Sequence, residues 1–205
     1  MKRTFCLAIT FFTWMIAPHL MAVPGAQIVG YRSAGPGCQP GTSAASISPD
    51  GQVITILFNN YSVIGGTQSE AQKEEVLTPC ELFLNIKVPA GWRFMIQQVV
   101  YRGFADISQG TWGRQSSTFK WAAEKNFHPL AFQRFIGPYT GDYTTVSLPQ
   151  SSVVSGCRPR VNTVQQLQVR SHIGVKGLNG FMTVDSMDHA IIEQYQLNWI
   201  PCTAR

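Results

Sequence analysis

The sequence predicts an all-β protein, a single-domain antiparallel β-sandwich with two disulfides, and leaves open a jelly-roll or an immunoglobulin-like arrangement. Three observations lead to this prediction. Segments in which every second residue is apolar recur along the chain, the period of a strand with one buried face. Turn residues separate these segments at fairly even intervals. The cysteines beyond the N-terminal segment number four, an even set suited to two disulfides in an exported protein.

The N-terminal segment, residues 1–22, has the pattern of a secretory signal peptide. Two basic residues precede an apolar run that ends near Ala22, a small residue suited to cleavage. An uncleaved membrane anchor is the alternative, but a proline and a histidine interrupt the run, and a membrane span needs about 20 apolar residues. We therefore predict residues 23–205 to be one secreted, extracellular domain with no membrane attachment after cleavage.

The charge balance of the mature chain is only mildly basic. Two of the 16 Lys and Arg residues lie in the predicted signal peptide, which leaves 14 basic against 11 acidic side chains. Nucleic-acid binding would require clustered Lys and Arg. The densest basic stretch, residues 157–160, is too short to indicate such a site, so we expect no nucleic-acid partner.

The first half of the mature chain contains a predicted turn, a central strand and a predicted hairpin. The turn Ser48-Pro49-Asp50-Gly51 suits type I geometry. It precedes residues 52–63, which we expect to form a central strand covered on both faces. Residues 82–88 and residues 92–100 both alternate and flank the turn Pro89-Ala90-Gly91, so they are predicted to pair as a β-hairpin with a three-residue loop.

The second half adds further short strands, giving eight or nine in all and almost no helix. Residues 122–139 are the least regular part. The last strand begins near residue 191, with Tyr195, Leu197 and Trp199 on its inward side, while Glu193 breaks the pattern. The other predicted strands cover residues 115–121, 144–148, 163–175 and 181–185.

The four cysteines, Cys38, Cys80, Cys157 and Cys202, are predicted to form two disulfides. A zinc site usually contains closely spaced pairs such as C-x2-C, and none is present. Three pairings are possible. We favour Cys38–Cys80 and Cys157–Cys202, which place one crosslink in each half of the chain, and in that pairing Cys202 anchors the end of the last strand.

Several stretches resemble a known protein family. They are "GC-x-P-G", "SPDGQVITILF", "VPAGW", "YRGFADI-x-x-G", "IGP" and "GFMTVDSMDHAIIEQYQLNW-x-x-C". Together they are similar to the secreted proteins of fungi and bacteria grouped as domain-of-unknown-function family 4360, from about Gly37 to Cys202. The resemblance implies an exported, β-rich protein with cysteines at these four places, and it implies no reaction.

Tyr101-Arg102-Gly103 is the most distinctive short motif. Arg102 shares strand parity with the expected core residue Phe94, and a buried arginine must be paired and hydrogen-bonded. We therefore predict that Arg102 is a structural clamp with Asp106 or Asp185 as its partner. The alternative is an arginine that binds an anionic ligand group.

No residue is assigned to catalysis, to a metal or to a cofactor. Asp185, Asp188 and His189 surround one turn, but calcium needs six to eight oxygen ligands and two carboxylates fall short. No G-x-S-x-G elbow or HExxH motif supports a hydrolase. A triad with dispersed members stays open, since its residues can come from any part of the chain.

Two tryptophans and one asparagine are candidate binding or modification sites. Trp112 and Trp121 are candidate binding residues, because aromatic side chains in extracellular sandwiches can stack on sugar rings. Trp112 is the one in an evident loop. Asn60-Tyr61-Ser62 is an N-glycosylation sequon, so Asn60 is a possible glycosylation site in a eukaryotic host.

These observations leave three functional hypotheses, with a non-enzymatic role favoured. The first is an extracellular binding module for a polymer or a cell-surface protein. The second is a secreted effector or inhibitor that acts on another organism's protein. The third is a hydrolase with a dispersed active site, which would require a pocket with titratable groups of perturbed pKa.

Overall fold

The computed structural model describes residues 25–65, 75–149, 154–157, 163–177, 179–184 and 193–202, which form two antiparallel sheets packed face to face. This confirms the predicted all-β sandwich. Among these residues, no helix is long and apolar enough to cross a bilayer. The strands are β1 (Gln27–Ala34), β2 (Ser43–Ile47), β3 (Val53–Phe58), β4 (Ser62–Gly65), β5 (Glu75–Val88), β6 (Trp92–Ile107), β7 (Trp112–Trp121), β8 (His128–Ile136), β9 (Tyr139–Ser147), β10 (Thr163–Lys176), β11 (Gly180–Thr183) and β12 (Glu193–Pro201).

The five-stranded sheet has the order β1-β5-β10-β7-β8. The seven-stranded sheet has the order β2-β3-β12-β6-β11-β4, and β9 also pairs with β6. Strands distant in sequence lie side by side in both sheets. β10 pairs with β5 along its whole length, from Thr163 opposite Val88 to Lys176 opposite Glu75.

The core lies between the sheets and follows the two-residue period of each strand. In β5, for example, every second residue from Cys80 to Val88 is fully buried. β7 and β10 alternate in the same way. Burying one face of each sheet against the other is the main stabilising contribution, at about 25 cal/mol per Å² of apolar surface.

The predicted hairpin of residues 82–88 and 92–100 is wrong. β5 and β6 lie in different sheets, and the turn between them carries the chain from one sheet to the other. The Trp92 N–H donates a hydrogen bond to the Pro89 carbonyl in this turn, and Gly91 has a positive φ of 80°. Alternation shows which side of a strand is buried. It does not distinguish two strands that pair from two that face each other across the core.

Two other predictions about strands need correction. The strand of residues 52–63 is not covered on both faces, because Leu57 of β3 is 44% exposed. Residues 122–139 are more regular than expected, since β8 lies within them and pairs antiparallel with β7. The described residues contain twelve strands rather than eight or nine, because several short strands carry too few residues to show a clear period.

Both predicted disulfides are formed in the favoured pairing, Cys38 with Cys80 and Cys157 with Cys202. The Cα atoms of the two pairs are 5.3 and 6.0 Å apart, within the normal range for a disulfide. Cys38 and Cys80 are completely buried, whereas Cys157 is exposed.

Candidate functional site

Charge is distributed unequally between the two sheets. The strands of the five-stranded sheet contain seven Lys and Arg residues and two acidic residues, Glu75 and Glu81. The strands of the seven-stranded sheet contain two basic residues and three acidic ones. A positive charge that is unremarkable for the whole chain is therefore concentrated on one sheet.

These cations lie on the outward side of the five-stranded sheet, because the inward positions of the same strands are filled by the core. In β7, Arg114 and Lys120 alternate with buried Gln115 and Phe119. We call this outward side the basic face. It is defined by Arg32, Lys87, Arg114, Lys120, Arg134, Arg170 and Lys176, with the rings of Phe83, Trp112 and Phe127.

Cations of the basic face stack on its aromatic rings. The guanidinium carbon of Arg32 lies 4.2 Å from the ring centroid of Phe83, and that of Arg134 lies 4.4 Å from Trp112. Phe127 carries two cations, with Arg170 at 4.1 Å and the Lys120 ammonium at 5.0 Å. Such contacts contribute about 0.5–1 kcal/mol at exposed sites and limit the rotation of long, otherwise mobile side chains.

The two acidic residues of the basic face are paired with two of its arginines. Glu75 forms an ion pair with Arg114, and Glu81 with Arg170, its direct cross-strand neighbour. Arg170 thus contacts a carboxylate and an aromatic ring at once.

His172 lies at the centre of the basic face, between Pro79 of β5 and Ser116 of β7. Partial burial lowers the pKa of His172, and the nearby positive charges of Arg114 and Arg170 lower it further. His172 is therefore a neutral imidazole at neutral pH, available as a hydrogen-bond donor or acceptor.

The structure separates the two candidate tryptophans. Trp112 begins β7 on the basic face and is partly exposed, but Arg134 covers one face of its ring. Trp121 ends the same strand on the inward side and is only 4% exposed, packed edge-on against Phe94 and Phe119. The prediction of Trp121 as a candidate binding residue is wrong, because its parity in β7 places it in the core.

The predicted burial of Arg102 is also wrong. In the pairing of β6 with β12, Gln98 lies opposite Gln196 and Ile96 lies opposite the next residue, Leu197. Gln97 therefore has no partner on β12 and forms a β-bulge. The bulge reverses the parity of β6, and Arg102 is exposed. Asp106 is exposed as well and accepts a hydrogen bond from Thr140 Oγ1 at 2.8 Å, while Asp185 lies outside the described residues.

A polar cluster lies buried between the sheets. Glu193 is completely buried directly opposite Tyr101, and Tyr195 donates a hydrogen bond to Glu193 Oε1. Burial raises the pKa of Glu193 to about 7, although hydrogen bonds from Tyr195 and Tyr101 partly offset this effect. Tyr101 is also 2.5 Å from Ser117 Oγ across the core. An acid at an inward position of β12 was the sequence signal for this cluster.

An apolar hollow lies where β8 meets the end of β9. Its volume is about 280 Å³, and its lining contains Phe132 and Leu148, which are 63% and 68% exposed, but no titratable side chain. In the part of the chain that the structure describes, no group of three or more His, Cys, Asp or Glu residues could hold a metal ion. Asp188 and His189 lie outside that part.

Asn60 occupies an exposed position between β3 and β4, and its side-chain oxygen accepts a hydrogen bond from Ser62 Oγ. Glycosylation at Asn60 stays a prediction.

A family model places the chain among known proteins. It matches residues 24–202 and describes a domain of unknown function, DUF4360. The chain belongs to the DUF4360 family. This assignment covers both sheets and both disulfides, and it confirms the resemblance found in the sequence.

A relative from the fungus Arthroderma benhamiae, described as an uncharacterized secreted protein, is 28% identical over 181 residues. The match covers 86% of this chain and 72% of the relative. It confirms the predicted extracellular location, and this DUF4360 protein is secreted.

A solved structure, TmCBM61 in complex with β-1,4-galactotriose, is similar over 85% of this chain and 90% of its own. The TM-score is 0.33 and the sequence identity 5%, which is too low to indicate a shared function.

Sequence reasoning missed the basic face. Its cations come from five strands between Arg32 and Lys176, so no long window of the sequence is rich in Lys and Arg. A count of charges for each predicted strand, sorted by parity, would have shown that β7 and β10 carry only basic outward charges.

Proposed function

We propose that this DUF4360 protein is a non-enzymatic extracellular binding protein that holds a polymer on the basic face. The observation that supports the proposal most directly is the set of outward cations fixed on aromatic rings, which include Arg32 on Phe83 and Arg134 on Trp112. Cations held in place lose less conformational freedom on binding than free side chains do.

The shape of the basic face favours an extended ligand. Five adjacent strands about 4.8 Å apart make a surface roughly 20 Å wide. Along the strand direction this surface is about 30 Å long, the length of the 10-residue strand β7. Small molecules usually bind in enclosed clefts. An open surface of this size with spaced charges suits a chain that contacts several points at once.

The placement of the titratable groups favours binding over catalysis. Glu193, with its raised pKa, has the property expected of a catalytic acid, but it is completely buried between the sheets. A catalytic group must reach its substrate. His172 is partly exposed and neutral, and the charged groups beside it are Arg114, Arg170 and Glu81.

Binding to a panel of polymers tests the proposal. The purified protein is incubated with soluble and insoluble extracellular polysaccharides, and the bound fraction is measured for the wild type and for Arg32→Ala/Arg134→Ala. The matched control is Arg102→Ala, which removes an exposed cation from the seven-stranded sheet.

We expect the double variant to lose roughly fourfold or more in affinity, from about twofold for each exposed cation, and the control to bind like the wild type. The proposal would be overturned if the wild type bound none of the polymers, or if the double variant bound a polymer as tightly as the wild type does.

A further inference from the structure

We infer that the polymer held on the basic face is an acidic polysaccharide, recognised through its carboxylate or sulfate groups. This inference rests on the proposed function and goes further by naming the chemistry of the ligand. Three features of the basic face support it, namely the cations over its rings, the two internal ion pairs and the spacing of the cations.

A cation lies over one face of each ring of the basic face. Phe83, Phe127 and Trp112 each have a guanidinium 4.1–4.4 Å from the ring centroid. A ring that stacks on a neutral sugar must present a free face to it. On the face that carries the cation, the group offered to a ligand is therefore the guanidinium fork, which matches the geometry of carboxylates and sulfates.

Two arginines of the basic face already bind carboxylates. Glu81 is paired with Arg170 and Glu75 with Arg114, so the face contains two examples of the contact that an acidic ligand would make. Arg32, Lys120 and Arg134 form no ion pair with a described carboxylate and contact aromatic rings instead. These three cations keep their charge available for an anion.

The cations form two groups, and one small anion cannot reach both groups. Lys120 and Arg114 are six residues apart on β7, about 20 Å along the strand. One row across the strands contains Lys120, Gln168 and Phe83, and Arg32 stacks on Phe83. A second row contains Arg114 and Arg134. A ligand that reaches both rows must carry repeated charges, and its affinity should rise steeply with chain length.

The same features disfavour nucleic acid. Proteins that bind single strands stack successive bases on free aromatic faces, and each ring here already has a guanidinium over one face. The protein is secreted, so it can meet acidic polysaccharides outside the cell. Nucleic acid and anionic lipid are included in the test as competing ligands.

Calorimetric titration of the full-length secreted protein distinguishes these ligands. The probes are polygalacturonate, its monosaccharide galacturonate, chondroitin sulfate, neutral galactan, double-stranded DNA and vesicles with phosphatidylserine, each at two salt concentrations. We expect binding to one or both acidic polysaccharides, weakened at high salt, with long chains binding more tightly than monosaccharides. The carboxylated and sulfated probes identify which anion is preferred.

Two variants test the mechanism. Glu81→Gln releases Arg170 from its internal partner, so the affinity for the acidic polysaccharide should rise roughly two- to fivefold. Phe127→Leu removes the ring under Arg170 and Lys120, and it should lower the affinity for the acidic polysaccharide by a similar factor. The matched controls on the seven-stranded sheet are Asp106→Asn and Phe104→Leu, and melting curves verify that all four variants are folded.

Each result has a distinct meaning. Tighter binding of neutral galactan, lost in Arg32→Ala/Arg134→Ala, would overturn this inference and leave the proposed function standing. Equal or tighter binding of DNA or of the vesicles would overturn the inference, as would an unchanged affinity in Glu81→Gln. No binding to any polysaccharide would overturn both proposals.

Discussion

Glu193 lies directly opposite Tyr101 on the ladder between β12 and β6, and both side chains are completely buried between the two sheets. Tyr195 is on the same side of β12 and donates a hydrogen bond to Glu193. Burial of the carboxyl raises its pKa to about 7 from the ordinary value of 4.5. The fold therefore favours the neutral acid, since a charged carboxylate at this position would have to be taken out of water.

Stability should fall as pH rises from about 4.5 to about 7. In this window the folded protein keeps the Glu193 proton and the unfolded chain does not, so folding is coupled to proton uptake. The shift corresponds to roughly 3 kcal/mol of destabilisation at pH 8 relative to pH 4 from this one group. Glu193→Gln keeps the size of the side chain without the titration, and denaturant unfolding at several pH values should show a flatter profile.

Asp142→Asn is the control for this pH profile, because Asp142 is an exposed acid in β9 of the same sheet. It should keep the wild-type slope. A slope that Glu193→Gln leaves unchanged would show that Glu193 is not the group responsible.

Gly103→Ala should destabilise the fold. Gly103 is buried in β6 opposite Tyr143, and a Cβ at this position would collide with the Thr183 carbonyl oxygen and the Tyr143 ring. Tyr143 is fixed by the hydrogen bond that it donates to that same carbonyl, at 2.8 Å. We expect a loss of about 1–3 kcal/mol in the free energy of unfolding, measured by denaturant titration. Wild-type stability in Gly103→Ala would contradict this packing.

Arg102→Met should leave the melting temperature and the secreted yield unchanged within error. Arg102 is exposed, and surface substitutions of this kind usually alter stability by less than about 0.5 kcal/mol. Thermal melting alongside Gly103→Ala, the neighbouring position, compares an outward residue with an inward one. A large loss of stability in Arg102→Met would restore the clamp that the sequence suggested.

The two disulfides should differ in their accessibility to reductant. Cys157 is exposed, whereas Cys38 and Cys80 have no exposed surface. Brief treatment of the folded protein with a mild reductant and an alkylating agent should therefore label Cys157 and Cys202 first, as read by mass spectrometry. Simultaneous labelling of all four cysteines under native conditions would contradict this order.

Loss of the buried disulfide through Cys38→Ser/Cys80→Ser removes a crosslink between residues 42 apart. Chain entropy predicts a loss of about 4 kcal/mol for a loop of this length. The melting temperature of the secreted variant measures this effect.

The strands that the sequence predicted best are those with a long, unbroken alternation. β10 and β12 lie where expected, with Tyr195, Leu197 and Trp199 inward. Their position within a sheet could not be predicted from the sequence. An alternation of apolar residues shows which side of a strand is buried, but it does not show which strand lies next to it. For this reason the turn after Val88 was interpreted as a hairpin, although it joins the two sheets.

Errors at the candidate site have equally local causes. One extra residue, Gln97, reverses the parity of β6 and moves Arg102 from the core to the surface. In the same motif, Tyr101 and Gly103 are the residues that are buried and pack in the core. The basic face depends on strand order, which places β5, β10 and β7 side by side, and no short window of the sequence contains that information.

The place of β12 in its sheet determines when this secreted chain can fold. β12 is the twelfth strand in chain order, yet it lies between β3 and β6 and pairs with both. Until Glu193–Pro201 has been synthesised and has crossed the export channel, these two earlier strands have nothing to bridge them, and their edges remain open to pairing with other chains. The complete seven-stranded sheet can therefore assemble only after β12 has been translocated, although the pairs β2–β3 and β6–β9 can form earlier.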